Sequence, residues 1–459
     1  MKNSRNIRVI SVALFVAMLF TVYLAGCGSA PAPSTPTTAS SSAAGSDAST
    51  AGTSDPKSVK GNVNFFYWGS EQKDMMETIC ENFMKEYPNV KVKTALEPSE
   101  QFWTKMITSI ATGQPAADVF WINPTYAVQL MNANQLVTVQ DLYDSGAIDK
   151  TKFTPAALQS YTKREDGKMY GVPKDFQTVC LIYNKGIFDE VGLPHPGDDY
   201  TWDQLVSDAQ KIVKKDGSGK VTRYGFAHNV STMSSWYVYC YTNGGKLFDP
   251  DASGGKYVDT PENREAFQRA ADLTFKYQVT PDGQTVTEVT SDEMFTNEMV
   301  AMTAYVPAQI ENYSKVLGDK VGIAGFPYMK QKATITNCLG YGIAAGTKNL
   351  ETAKIFISYL ASKEGQEPQA KALIPGYQGI ESEMQKKFSN MNFKIYLDAG
   401  AYAVPTPVEK YTGNQSRQIL DTEVSNILFG RKDVPTALAD AEKLIIAAVD
   451  KAKATQGSK

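Results

Sequence analysis

Short apolar strand patterns alternate with amphipathic helix patterns along this chain, and that alternation constrains its fold more than any other feature. Residues 63–68 are rich in β-formers and end at a glycine, as a strand does before a turn. Ile79 and Phe83 then recur at helical spacing, and residues 90–94 and 118–121 form two further strand patterns. Strands separated by helices in this way predict βαβ units. We therefore expect an α/β fold whose mostly parallel sheets are covered by helices.

The same alternation continues through the second half of the chain. Thr201 and Gln204 form the pattern of a helix capping box, and residues 352–360 and 434–449 place apolar side chains on one helical face. Apolar runs predict further short strands at residues 179–183, 300–304 and 321–324. A body of about 400 residues is long enough for two or three domains with cores of their own.

The first 26 residues have the pattern of a secretory signal peptide. Cations at positions 2, 5 and 8 precede an apolar run over residues 9–23, which is followed by Leu24-Ala25-Gly26-Cys27. This last tetrapeptide resembles the bacterial lipobox, and it predicts cleavage before Cys27 and lipidation of the Cys27 thiol. A plain signal peptide followed by a chance cysteine is the alternative.

Residues 27–58 are predicted to join the lipidated cysteine to the folded body as a flexible tether. They consist mainly of Ser, Thr, Ala, Pro and Gly, a composition that buries too little surface to offset its ordering entropy. No later stretch reaches the roughly 18 apolar residues that a membrane helix needs. The net charge is −3, and removal of residues 1–26, with three cations and no acids, makes it −6. This mild acidity gives no support to nucleic-acid binding.

Recognisable motifs for catalysis or metal binding do not occur in the sequence. The two histidines, His195 and His228, belong to no HExxH or Cys/His pattern. Residues 249–254 match the first half of a calcium loop, but Thr260 stands where that loop needs glutamate. We therefore expect neither a metal nor a cofactor. Either disulfides or free buried thiols are compatible with the remaining cysteines, Cys80, Cys180, Cys240 and Cys338.

Aromatic side chains at predicted strand ends favour a carbohydrate ligand. Flat aromatic rings match the apolar faces of sugars, and carboxylate or amide oxygens match their hydroxyl rims. Trp68 and Trp121 both end predicted parallel strands, where ligands of open α/β sheets bind. Any single tryptophan could instead pack in the core, since tryptophan is highly buried on average. We expect core packing for Trp202, which lies on the buried face of a predicted helix. A glycosidase needs two carboxylates across a cleft, and no local motif points to such a pair. The sequence contains 49 acidic residues, so a glycosidase stays an alternative.

Seven short segments occur in the order and spacing of a known family. They are residues 65–68 (Phe-Phe-Tyr-Trp), 111–121, 167–173 (Gly-Lys-Met-Tyr-Gly-Val-Pro), 181–185, 243–245 (Asn-Gly-Gly), 297–302 and 342–349. Each segment alone is a weak signal, and their shared order is a strong one. Together they resemble the family-1 extracellular solute-binding proteins of ABC importers, the family that includes maltose-binding protein.

The resemblance implies a two-lobed, type II periplasmic-binding-protein-like fold joined by a multi-strand hinge. By this analogy residues 59–174 and 328–372 form the N-terminal lobe, and residues 175–327 and 373–459 form the C-terminal lobe. The chain would then cross between lobes near Lys174-Asp175, return near Phe326-Pro327 and cross again near Ala372.

The resemblance also implies a site and a function. The implied ligand-binding residues are Trp68, Glu71, Gln72, Glu100, Trp121, Asn123, Asp175, Gln177, Trp236, Tyr305 and Tyr341. We expect a monomeric, non-catalytic lipoprotein on the extracellular face of the cytoplasmic membrane, which passes a sugar, favoured to be an oligosaccharide, to an ABC permease. An exported glycan-cleaving enzyme is one alternative, and a binding protein for a polyol or a glycerol phosphate is another.

Overall fold

The computed structural model describes residues 56–228 and 232–456. The predicted signal peptide, Cys27 and nearly all of the tether lie outside these residues. Within the described part, no helix is both long and apolar enough to cross a membrane.

Twelve strands are found in the described part of the chain. They are β1 Gly61–Tyr67, β2 Val90–Leu96, β3 Val119–Ile122, β4 Gly171–Pro173, β5 Cys180–Asn184, β6 Lys214–Lys215, β7 Val221–Phe226, β8 Val300–Tyr305, β9 Val321–Ala324, β10 Thr334–Thr336, β11 Gly340–Ile343 and β12 Ala403–Pro405.

The α-helices of the same residues number eighteen. They are α1 Lys73–Glu86, α2 Ser99–Ala111, α3 Pro124–Asn132, α4 Gln140–Asp144, α5 Pro155–Gln159, α6 Lys185–Glu190, α7 Trp202–Ile212, α8 Trp236–Thr242, α9 Pro261–Phe275, α10 Gly283–Glu288, α11 Ser291–Thr296, α12 Ile310–Leu317, α13 Leu350–Ala361, α14 Lys363–Gln366, α15 Glu383–Lys387, α16 Lys394–Asp398, α17 Asn414–Leu428 and α18 Val434–Gln456.

The first sheet has the order β2-β1-β3-β11-β4. Strands β1, β2 and β3 are parallel, as predicted, and β11 runs antiparallel between β3 and β4. Helix α13 packs on this sheet through Phe356, whose ring lies 5.3 Å from Phe65 and 4.9 Å from Phe83 of α1. The apolar faces predicted for α1 and α13 are therefore confirmed as core faces.

The second sheet has the order β6-β7-β8-β5-β9, and it is more mixed than the sequence pattern predicts. Only β7 and β8 are parallel neighbours, because β5 enters from the other lobe and runs against both β8 and β9. Alternate residues of β5 face opposite cores: Leu181 and Tyr183 belong to one buried cluster, Cys180 and Ile182 to another. This sheet is thus covered on both faces, as predicted.

Several segments cross side by side between the two sheets. Phe176 donates its N–H to the carbonyl of Ile374 at 2.9 Å, and Thr178 forms a bridge with Thr336 of β10. Strand β10 pairs in parallel with β12. The N–H of Lys330 still bonds the carbonyl of Thr242 in the second lobe. The chain therefore still contacts the second lobe at Lys330, four residues after Phe326, where the first return between lobes is predicted to begin.

Asp118 joins two of the segments that carry the family resemblance. It is 4% exposed and lies directly before β3. Its carboxylate accepts the N–H of Asn64 at 2.7 Å, the hydroxyl of Thr347 at 2.5 Å and the Nδ2 of Asn349 at 3.2 Å. One buried carboxylate thus ties β1, β3 and the start of α13 together.

The four described cysteines are buried and free. Of the two alternatives compatible with the sequence, disulfides and free buried thiols, the structure shows free thiols. Burial raises the pKa of Cys80 and of Cys338 to about 12, so both side chains are neutral thiols at physiological pH. They act as small apolar core residues.

Candidate functional site

A cavity of about 750 Å³ lies between the two lobes. The first lobe contributes most of its wall, the hinge contributes two residues, and the second lobe closes the remaining side. Its lining residues are Trp68, Ser99, Glu100, Trp103, Thr104, Ile107, Thr108, Asn123, Thr125 and Tyr126 from the first lobe, Asn337 and Leu339 from the hinge, and Met233, Asn414 and Arg417 from the second lobe. We call this space the cleft.

Parallel strands bring Trp68 and Asn123 to the same edge of the first sheet. Trp68 directly follows β1 and Asn123 directly follows β3, and these two strands are parallel neighbours. This edge is where open α/β sheets bind ligands. Asn123 also caps α3, since its Oδ1 accepts the N–H of Tyr126 at 2.9 Å. Its Nδ2 group makes no hydrogen bond within the described residues and is left to donate to a ligand.

Stacked aromatic rings form the first-lobe wall of the cleft. Trp103 and Tyr126 stack with ring centroids 3.8 Å apart and an interplanar angle of 16°. The ring of Trp68 lies 5.3 Å from that of Trp103 and 5.3 Å from that of Trp121, which is fully buried behind it. Such packing holds the rings rigidly. Trp103 is only 6% exposed and supports the wall from behind, whereas Trp68 and Tyr126 are half-buried and keep ring surface for an apolar ligand face.

A buried ion pair lies where the first crossing strand leaves the first lobe. Lys174 is 0% exposed, and its Nζ lies 3.4 Å from Oδ2 of Asp175 and 2.9 Å from Oε1 of Gln72. Oδ1 of Asp175 accepts the N–H of Leu339 at 2.8 Å. Burial lowers the pKa of Lys174 and raises the pKa of Asp175, while each charge stabilises the other. The pair therefore fastens two crossing segments of the hinge to each other.

The structure brings three of the predicted site residues, Trp68, Glu100 and Asn123, into the cleft wall. Glu71 is exposed beside Gln72, and Gln177 is half-buried and donates to Asp175 at 3.4 Å. Outside the described cleft lining lie Trp121, Asp175, Trp236, Tyr305 and Tyr341.

The burial of Trp121 and Tyr341 has a common cause. Strand β3 continues to Ile122, so Trp121 lies within the strand rather than after it. Tyr341 is the second residue of β11, directly opposite Trp121 in the antiparallel register. Both side chains are 0% exposed, because they point into the core of the first lobe. Tyr305 packs against the second-lobe core, and its carbonyl accepts a hydrogen bond from the hydroxyl of Tyr396.

Sequence reasoning missed several residues that line the cleft. Trp103 lies on the same helix as Phe102 and Met106, where the helical pattern indicates core packing. Asn414 and Arg417 lie in the first turn of α17, far along the chain from every predicted site residue. No local motif marks them, because only the folding of the second lobe brings α17 to the cleft.

Comparison with known proteins identifies the family. The sequence model described as bacterial extracellular solute-binding protein matches residues 68–367, more than half of the chain. The chain belongs to this family. Members of the family are binding proteins that act outside the cytoplasm.

Similar proteins of known name match this solute-binding protein over about two thirds of its length. An arabinooligosaccharide-binding protein of Halalkalibacterium halodurans is 25% identical over 67% of this chain and 69% of its own length. A galactooligosaccharide-binding protein of Bacillus subtilis is 24% identical over 67% of this chain and 70% of its own.

Solved structures establish the two-lobed fold of the binding protein. An ABC substrate-binding protein of Listeria monocytogenes in complex with cycloalternan superposes with a TM-score of 0.72 at 23% identity, covering 87% of this chain and 100% of its own. The sugar-binding protein MalE of Xanthomonas citri gives a TM-score of 0.73 at 18% identity, with the same coverage of both chains.

The lobes of the binding protein also touch away from the hinge. The loop before α17 is fixed by the buried Glu409, which accepts the N–H groups of Tyr411 and Thr412 at 2.8 and 2.7 Å. Carbonyls of this loop accept from α3 of the first lobe: Gln129 Nε2 bonds the carbonyl of Thr412 at 3.2 Å, and Asn132 bonds that of Lys410. We call this contact the interlobe latch.

We expect the substitution Gly413→Ala to weaken ligand binding through the interlobe latch. Gly413 has φ +52, and a Cβ there would lie 2.3 Å from Nε2 of Gln129. The clash with Gln129 exists only while the lobes touch, and overpacking of about 1–2 kcal/mol in that closed arrangement should lower ligand affinity about five- to thirty-fold. Isothermal titration would measure this change. The double variant Gly413→Ala/Gln129→Ala, which removes the clash, should recover part of the affinity, and no recovery would contradict the steric explanation.

We expect the stability of the binding protein to fall between pH 6.5 and pH 4 because of His228. Burial lowers the pKa of His228 to about 4, while Nδ1 lies 3.1 Å from the hydroxyl of Tyr239 and Nε2 lies 3.3 Å from the carbonyl of Ala270. The unfolded state therefore binds more protons in this range, and stability rises with pH by about 3 kcal/mol at most. Urea unfolding at several pH values would measure the slope.

The variant His228→Gln provides the control for this pH dependence. It keeps a polar side chain but does not titrate, so its stability should depend less on pH between 4 and 6.5. The difference between the two slopes isolates His228 from the carboxylates, which titrate in both proteins. Equal slopes would contradict the assignment to His228.

Proposed function

We propose that this chain is the substrate-binding lipoprotein of an ABC importer, and that it captures an oligosaccharide between its lobes. The aromatic wall of the cleft is the observation on which this proposal rests. Trp68 and Tyr126 offer flat apolar surface that the buried Trp103 supports, and Glu100 and Asn123 offer polar groups beside them. Sugars combine apolar faces with hydroxyl rims, so this arrangement suits them.

The relatives favour the same ligand class. The named sequence relatives bind arabino- and galacto-oligosaccharides, and one structural neighbour holds cycloalternan. The sugars of these three proteins have more than one unit, which supports an oligosaccharide over a polyol or a glycerol phosphate, although another structural neighbour is bound with alpha-D-tagatose. A cleft of about 750 Å³ also suits a ligand larger than one sugar ring.

Binding is coupled to closure because the cleft has walls from both lobes. A ligand that touches Trp68 on one lobe and Arg417 on the other favours the closed state by the difference in its affinity for the two states. The closed form then docks on the permease, whose ATPase drives import. Cys27 carries the lipid that holds the monomeric protein at the outer face of the cytoplasmic membrane.

The chemistry of the cleft favours binding over glycan cleavage. A glycosidase needs two carboxyl groups about 5–10 Å apart across the scissile bond. Glu100 is the one carboxylate among the described residues that line the cleft, and it is exposed. The proposed protein therefore releases its sugar unchanged.

A binding screen tests this proposal. The purified protein is titrated with arabino-, galacto- and malto-oligosaccharides of two to five units, with polyols and with glycerol phosphate. A melting temperature that rises with the concentration of an oligosaccharide, without any product, is the expected result. Product formation would favour the enzyme, and a shift with only polyols or glycerol phosphate would replace the ligand class.

We expect Trp68→Ala to weaken oligosaccharide binding by about tenfold to a hundredfold, because a tryptophan at the centre of a binding site is a typical hot spot. Trp68→Phe keeps an aromatic face at the end of β1 and should lose much less affinity. Isothermal titration of both variants measures the contrast. Equal affinities of the wild type and Trp68→Ala would place the ligand elsewhere.

A further inference from the structure

A second cavity of about 380 Å³ lies within the second lobe, beside the cleft. It is formed mainly by α17, the start of α8 and the segment around α10. Arg417 lines both this space and the cleft, so its side chain stands at the boundary between the two. We call this space the side cavity.

The guanidinium of Arg417 is held in place and keeps donors to spare. Its Nε donates to Oδ1 of Asn414 at 2.9 Å, and one terminal nitrogen lies 3.9 Å from Sδ of Met233. Within the described residues no carboxylate forms a salt bridge with Arg417. A guanidinium has five N–H donors, so most remain available at the boundary between the cavities.

Trp236 supplies an unused donor in the side cavity. Its ring is 0% exposed, and its Nε1 group has no hydrogen-bond partner among the described residues. A buried N–H without a partner lowers stability. An oxygen of a ligand in the side cavity would satisfy it.

The rest of the lining suits one sugar ring. Val424 and Leu428 present apolar surface, and Thr290 and Ser425 present hydroxyls. The volume lies within the range of small-molecule sites, roughly 300–1,000 Å³. Aromatic and aliphatic surface together with scattered donors and hydroxyls is the same chemistry as that of the cleft wall.

We propose that the side cavity binds the terminal unit of an oligosaccharide whose other units lie in the cleft, with Arg417 donating to the ligand at the junction. This inference rests on the proposed function, since it requires a carbohydrate in the cleft. It makes the protein selective for chains of at least three sugar units. Disaccharides occupy the cleft alone.

The variant Ser425→Phe tests the side cavity by filling it. Ser425 is half-buried on α17 and lines only the side cavity among the described cavities. Binding of the longest oligosaccharide that binds the wild type should weaken about tenfold or more, as for loss of a buried contact. Binding of the disaccharide of the same series should stay unchanged. Ser358→Phe, at a half-buried helical serine that lines a cavity of the first lobe, is the matched control and should change neither.

Trp236→Phe provides a second test that does not depend on filling space. It removes the unpartnered N–H and keeps the ring, so the melting temperature without ligand should stay equal or rise. Affinity for the long oligosaccharide should fall severalfold, and affinity for the disaccharide should not. Equal losses for long and short sugars, or no loss, would overturn the side cavity as a subsite while leaving the proposed function intact. If no saccharide binds the wild type, both proposals fall.

Discussion

Asp175→Leu is expected to lower the free energy of unfolding by about 3–5 kcal/mol, the usual effect of removing one partner of a buried ion pair. The ammonium of Lys174, 0% exposed, would lose its anion, and the N–H of Leu339 would lose its acceptor. Gln72 and the ring of Trp121, 4.3 Å from the Lys174 Nζ, cannot neutralise the charge. Urea unfolding followed by tryptophan fluorescence would measure the loss.

The double variant Lys174→Met/Asp175→Leu separates charge from packing. Both charges are then absent, so about 2 kcal/mol of the loss should be recovered, because apolar replacements of buried pairs are often well tolerated. Equal stability of the single and double variants would show that the unpaired charge is not the cause. Because Asp175 is 1% exposed and bonded to Leu339, we expect its effect on sugar affinity to act through the hinge rather than through contact with the ligand.

Asp118→Ala is expected to destabilise the first lobe by about 3–5 kcal/mol, because several donors lose a charged acceptor at once. The groups affected are the N–H and Nδ2 of Asn64, the hydroxyl of Thr347 and the Nδ2 of Asn349. Thermal unfolding by circular dichroism would measure the change.

Two controls make the Asp118 experiment specific. Asp118→Asn keeps one acceptor oxygen, so its loss of stability should be smaller than that of the alanine variant. Asp141→Ala removes an exposed carboxylate whose visible partner is Lys354 at 2.6 Å, so its cost should stay below about 1 kcal/mol, as for surface pairs. A loss of the same size in both alanine variants would contradict the role of Asp118 as the buried tie between β1, β3 and α13.

Local structure was the part that sequence patterns predicted well. The capping box of Thr201 and Gln204 is present in full at the start of α7, and Asn123 caps α3 with a proline at the first position. Thr260 likewise caps α9. The position that a calcium loop would fill with glutamate is therefore the N-cap of a helix. These features depend on atoms within four residues of each other, so their spacing alone decides them.

Register and side-chain direction were harder to predict. A strand one residue longer than expected leaves Trp121 inside β3 and buried, although Asn123 two residues later reaches the cleft. Trp68, in contrast, lies after β1 ends at Tyr67 and reaches the ligand edge. Because successive strand residues point to opposite faces, an error of one residue exchanges a core role for a site role.

The sequence alone determined the elements, the alternation of strand and helix, and the family to which the binding protein belongs. Only the tertiary structure decided that Trp68, Trp103 and Arg417 meet in one cleft, and that Lys174 and Asp175 are a buried pair in the hinge. The physical reason is the distance along the chain over which each kind of interaction acts. Helix caps and apolar periodicity act between near neighbours in the chain, whereas burial and cavity walls depend on segments that only the packing of two lobes brings together.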